Sequence, residues 1–150
     1  MHPKLNLPSF NIRTQDQQIW DRLRKKYVPN DPEEWVRQNF IYYLIEHLGY
    51  PEGLMASEYT VNYNKMKKRC DIVVMNRELQ AVVIVECKAP HIRLTEDTFY
   101  QIARYNHVLK APLLILTNGL QHFCALVKTD GTISYLQEIP NKKALESFTD

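Results

Sequence analysis

Three widely spaced cysteines, Cys70, Cys87 and Cys124, are all that 150 residues contain. No C-x-x-C occurs, so neither a zinc knuckle nor a dithiol redox pair is expected. An odd count, with no apolar leader in Met1-His2-Pro3-Lys4-Leu5-Asn6-Leu7-Pro8, fits a reducing cytoplasm. No apolar run exceeds strand length, which argues against a membrane-spanning helix. A G-x-x-x-x-G-K-[ST] phosphate loop is missing, so no nucleotide-driven motor is expected in these residues. Repeats, linkers and low-complexity segments are missing too. Neither sign of charge dominates: 19 Lys and Arg against 17 Asp and Glu leave +2, so any affinity for a polyanion must come from local clusters. What remains is an ordinary globular balance, 45% hydrophobic and 24% charged, that suits one domain over residues 1–150 with a single core.

Residues 1–14 are polar, carry two prolines and read as an arm lying on that domain. Ile19, Trp20, Leu23 and Tyr27 recur at helical spacing and predict a short helix over 16–27, broken by Val28-Pro29-Asn30. Asp31-Pro32-Glu33-Glu34 is a strong helix start: Asp31 can cap, proline suits the first position, and Glu34 stands where a capping box places an acid. That helix turns Val36, Phe40, Tyr43, Leu44 and Leu48 inward and stops at Gly49. A strand is expected over 57–64 and a basic connection over 65–69. Two apolar strands follow, about 71–75 and 81–88, joined by a turn at Asn76-Arg77-Glu78-Leu79-Gln80. Thr95 opens a helix over 96–110 with Phe99, Ile102, Ala103 and Leu109 on its apolar stripe. Strands over 113–117, 122–128 and 133–139 complete the order α-α-β-β-β-α-β-β-β, a mixed α/β (α+β) sheet flanked by helices. Near-continuous hydrophobicity in the central strands implies that both sheet faces are covered.

The chemistry lies in those central strands. Asp71 opens one, and Glu86-Cys87-Lys88 closes the next; as a hairpin they bring two carboxylates and an ammonium to one end of a sheet, where charge is costly unless compensated. Alternation directs Glu86 and Lys88 to one face and the Cys87 side chain to the other, while the Cys87 backbone carbonyl stays within reach of the acids. Two readings stand. One is a cross-strand ion pair at a sheet edge. In the other, Asp71 and Glu86 supply hard oxygen ligands to Mg²⁺ or Mn²⁺. The ion would polarise a phosphate, and Lys88 would orient the attacking water or stabilise charge on phosphorus. Gln101 and Tyr105, four apart on the following helix, share a face offset from its apolar stripe. Lys65, Lys67, Lys68 and Arg69 either grip phosphates beside the site or solvate a hairpin tip. Trp20 and Trp35 read as core, and His47, His91, His107 and His122 as structural or surface residues.

Taken together, Asp-Ile-Val-Val at 71–74, Glu-Cys-Lys-Ala-Pro at 86–90 and Gln-Ile-Ala-Arg-Tyr at 101–105 resemble the PD-(D/E)xK nuclease superfamily. With Pro-Glu-Glu-Trp-Val-Arg-Gln at 32–38, Leu-Gly-Tyr-Pro at 48–51 and Leu-Thr-Asn-Gly at 116–119, residues 30–120 look more closely like the N-terminal nuclease domain of type I restriction enzyme R (HsdR) subunits. The resemblance implies a restriction-endonuclease-like fold with an α-β-β-β-α-β core, and Mg²⁺-dependent (or Mn²⁺-dependent) hydrolysis of DNA phosphodiester bonds. It makes Asp71 and Glu86 metal ligands, Lys88 the catalytic lysine, and Gln101 with Tyr105 the Q-x-x-x-Y pair. Glu34 matches the acid that a preceding helix often adds to such sites, although it also suits a helix cap; Glu58 is the next candidate. Cys70 stands where a proline usually precedes the first acid. DNA is the expected partner, with helicase and specificity subunits of a restriction system supplying motor and targeting, and a homodimer or repeated events needed to cut both strands. The rival is a non-catalytic nuclease fold kept for DNA binding or assembly; a third reading is an RNA or structure-specific nuclease.

Overall fold

The computed structural model describes residues 2–149. Its centre is a six-stranded sheet made of β4 (Met55–Tyr63), β5 (Met66–Met75), β6 (Ala81–Cys87), β7 (Leu113–Thr117), β8 (His122–Val127) and β9 (Ile133–Leu136). The strands lie side by side in chain order. Only β6 and β7 are parallel, because helix α2 (Glu96–Leu109) crosses between them; every other neighbour is antiparallel. Helix α1 (Pro32–Glu46) covers one face, packing Val36, Phe40, Ile41 and Leu44 onto Ile72, Val74, Val83 and Val85. Helix α2 covers the other, with Phe99 and Ile102 over Val73, Ile84 and Leu114. Burial of the central strands on both faces explains their unbroken hydrophobicity. The run α1-β4-β5-β6-α2-β7 is the expected α-β-β-β-α-β core.

Helix α1 starts as the sequence predicts. Asp31 Oδ1 accepts the Glu34 N–H at 2.7 Å and Pro32 takes the first position. It ends through Gly49 at φ +76°, which lets the Tyr50 N–H reach the Leu44 carbonyl at 3.0 Å. The N-terminal arm lies on the domain: Leu5 is buried, and the Asn6 N–H donates to the Gly119 carbonyl at 2.8 Å. A Cβ at Gly119 would come within 2.6 Å of Leu5, so this turn holds the arm only as glycine, whose φ is +85°.

Three expectations are corrected. Residues 16–27 form no helix; they lie in an antiparallel meander, β1 (Thr14–Gln15), β2 (Gln18–Asp21) and β3 (Lys26–Pro29). Asp16 and Lys25 both take φ +55°, and Asp21 accepts the N–H groups of Leu23 and Arg24, closing turns where a helix would have to continue. Residues 65–69 are not a connection. Asn64 and Lys65 alone make a two-residue turn with both φ positive, and β5 begins at Met66, so Lys67, Lys68 and Arg69 pair with Asn62, Val61 and Thr60. A further helix, α3 (Lys142–Thr149), comes after the last strand and seats Leu145 against the α1 side of the core. Its start, with Asn141 Oδ1 accepting the Ala144 N–H at 2.8 Å, is a cap signal present in the sequence at Asn141. Trp35, half-buried and stacked by His2, packs against the α1-side core as expected, whereas Trp20 is half-buried under Arg13.

Candidate functional site

The β5–β6 register, Ile72 opposite Val85, sets Asp71 across from Glu86 one position further on. Each carboxyl is near enough to shift the other's ionisation. Asp71 Oδ2 accepts the Cys87 N–H at 2.6 Å, which pins its rotamer. Tyr105, one turn beyond Gln101 on α2, donates its hydroxyl to Glu86 Oε2 at 2.9 Å. The Cys87 side chain joins the α1-side core, as alternation requires. Burial, and next the Asp71 charge, push the Glu86 carboxyl up to about 8. Asp71 is also raised, by burial, against the opposing pull of the Cys87 N–H and the Arg37 guanidinium. Two acids raised by burial in this way favour a cation beside them.

A cavity of about 360 Å³ opens beside them, between the β4–β5 hairpin and α2. Glu86, Lys88, Gln101 and Tyr105 line it, with Lys68 and Arg69 at the hairpin side. Lys65 and Lys67 are exposed on the hairpin and are not among its lining residues. Arg104 does line it, a residue that no motif singled out; its position three residues after Gln101 was the available signal. The Lys88 N–H donates to the Thr117 carbonyl at 2.8 Å, so the ladder continues past the end of β6 and holds the lysine beside its glutamate.

Glu34 is buried but does not join the carboxyl pair. Its Oε2 accepts from Gln38 at 2.9 Å, and Oε1 lies 3.6 Å from Arg37 and 3.8 Å from Arg24. Nor does its side chain close a capping box; its own N–H is what the cap holds. Glu58 sits on β4 with φ +52°, accepting from Arg37 at 3.0 Å and from Arg24 at 3.1 Å. Its carboxyl is held below the ordinary range, chiefly by the Arg37 hydrogen bond. Arg37 therefore stands between both candidate acids and Asp71, whose Oδ1 it approaches at 3.3 Å. The sequence contains the signal for Arg37, one helical turn from Glu34, but nothing local in it marks Asp71 as its partner.

Among the described residues no group of three or more His, Cys, Asp or Glu is arranged to hold a metal ion. The donors that could hold an ion would be the Asp71 and Glu86 carboxyls, with the Cys87 carbonyl as the third expected from the sequence. That set fits Mg²⁺, which keeps several waters and takes one or two carboxylates from protein; it fits zinc poorly.

In fold, the chain is similar to a fragment assigned as an HsdR subunit of a type I restriction enzyme from Vibrio vulnificus YJ016, with a TM-score of 0.52 and 18% identity. The match covers 71% of this chain and 23% of that one. A profile of the family described as type I restriction enzyme R protein N terminus (HSDR_N) matches residues 32–140, well over half of the sequence, and the chain belongs to that family. No curated protein matches it. No helix among the described residues is long and apolar enough to cross a membrane.

Proposed function

We propose that this chain is a PD-(D/E)xK nuclease module of the type I restriction R-subunit kind, hydrolysing DNA phosphodiester bonds with Mg²⁺ or Mn²⁺. The observation that carries the reading is the strand register that sets Asp71 across from Glu86, with Glu86 in the wall of a cavity also lined by Lys88, Gln101, Tyr105 and three further cations, Lys68, Arg69 and Arg104. Asp71, Glu86 and the Cys87 carbonyl would hold the ion. When bound, the ion polarises the scissile phosphate and lowers the pKa of a water. Tyr105 fixes the Glu86 rotamer, and the Cys87 N–H fixes that of Asp71. Lys88, on the Glu86 side of the strand, orients the attacking water or stabilises charge on the phosphoryl oxygens. Gln101 and the basic residues position the backbone. Partners are DNA and the helicase and specificity subunits of a restriction system, in a cytoplasmic setting; a second copy of the chain would allow cleavage of both strands.

Supercoiled plasmid incubated with the protein and Mg²⁺ or Mn²⁺ tests this. Nicking is expected to fall by about 10²-fold or more in Lys88→Ala, in line with the loss of a general acid–base or electrostatic group; equal nicking by both proteins removes Lys88 from the mechanism. A second reading, a nuclease fold that binds DNA without cutting, draws on one contact: Arg37 already ion-pairs with Asp71. It predicts salt-dependent DNA binding and no metal-dependent nicking at any protein concentration.

A further inference from the structure

The Arg37 guanidinium lies among four carboxylates: Glu58 at 3.0 Å, Asp71 at 3.3 Å, Glu34 at 3.6 Å and Glu33 at 3.8 Å. They come from α1, β4 and β5, so the cluster exists only in the folded chain. Arg37 itself is buried, 6% exposed, and its Nε has no hydrogen-bond partner. A charge so placed is stable only among opposite charges, and arginine does not shed its proton to escape.

We infer that Arg37 is the resident second cation of this site, occupying the place a second divalent ion takes in two-metal nucleases, so that the site accepts one ion. The inference rests on the reading of Asp71 and Glu86 as ligands. In two-metal centres the cations stand about 3.5–4 Å apart. Here Asp71 has Glu86 and the Cys87 amide on one side and Arg37 on the other. The other acids on that side, Glu34 and Glu58, are arranged around Arg37 and Arg24 instead of around an ion. Glu34 and Glu58 are then positioning residues. They hold Arg37, and Arg37 holds Asp71 ready before any ion arrives. A guanidinium also survives chelation, so Asp71 keeps its place in metal-free protein.

Counting bound Mn²⁺ on the metal-stripped chain, by the electron paramagnetic resonance signal of free Mn²⁺ and by calorimetry, tests the inference without relying on activity. One ion per chain is expected for the native protein and for Arg37→Lys, which keeps the charge. Two are expected for Arg37→Met, which takes the guanidinium from Asp71 and leaves Glu34 and Glu58 with Arg24 beside them. Two ions on the native chain, or a single ion on a folded Arg37→Met protein, overturn the inference. No ion on the native chain overturns the ligand reading beneath it, a different result from a count of two. The native count needs no variant, so the inference stays open to refutation even where Arg37→Met does not fold.

Discussion

Tyr105 shows how one side chain sets the properties of another. Its hydroxyl is the protein donor to Glu86, and its own ionisation is pushed far above the usual range by burial and by that carboxyl. Cys70 is fully buried in the same core cluster as this tyrosine, and burial pushes its thiol up to about 12, so it serves as packing and not as a nucleophile. Tyr105→Phe removes the donor while keeping the ring. The expected result is an unchanged fold by circular dichroism and a nicking rate reduced about 10- to 100-fold, the usual cost of losing an orienting partner of a ligand. Urea unfolding should show a loss of about 1–2 kcal/mol from the unpaired buried carboxyl. Native-like nicking by Tyr105→Phe would leave this hydrogen bond without a role in the chemistry.

At the scale of elements, the N-terminal arm is tied down through His122. Its Nε2 faces the Asn6 carbonyl at 2.9 Å and its Nδ1 faces Thr117 Oγ1 at 2.7 Å, a pattern that the neutral ring with hydrogen on Nε2 satisfies. Burial lowers its pKa from 6.5, against the Asn6 hydrogen bond. Below that value the unfolded chain binds a proton the fold refuses, so this group's stabilisation falls as pH drops through 6.5. The urea midpoint of the native protein should therefore decline between about pH 6.5 and 5.5 more steeply than that of His122→Gln; parallel slopes would dismiss the histidine. Element boundaries were legible where a local signal acts alone, as at Asp31-Pro32 and Gly49. They were not legible over 16–27, because Ile19, Trp20, Leu23 and Tyr27 fit a helical period while the structure pairs Trp20 with Tyr27 across two strands and buries Ile19 beside Val28. The left-handed turns at Asp16 and Lys25 decide between the two, and neither residue is a glycine or asparagine that would announce them.

Across the whole molecule, a net charge of only +2 hides a concentration of cations around one cavity. Lys68 and Arg69 arrive on a strand, Lys88 just past a strand, and Arg104 on a helix. If they contact phosphates, Lys68→Ala with Arg104→Ala should weaken binding to duplexes of any sequence about equally. The slope of log K against log salt should become shallower by roughly 2, given about 0.9 per phosphate contact. Fluorescence anisotropy across a salt series measures this, and an unchanged slope would move the DNA path elsewhere. The sequence by itself determined the features that backbone geometry dictates over a few residues. The pleat of β6 puts Glu86 with Lys88 and turns Cys87 away, and the helical repeat puts Gln101 over Tyr105. Only the tertiary structure decided which charges meet. Glu34 faces Arg37 and Arg24 instead of the carboxyl pair, and Arg104 joins the cavity. Arg37, on a helix, ends against Asp71 on β5 and Glu58 on β4. Those encounters depend on how α1, the meander and the sheet pack, and packing couples residues tens of positions apart that no local pattern relates.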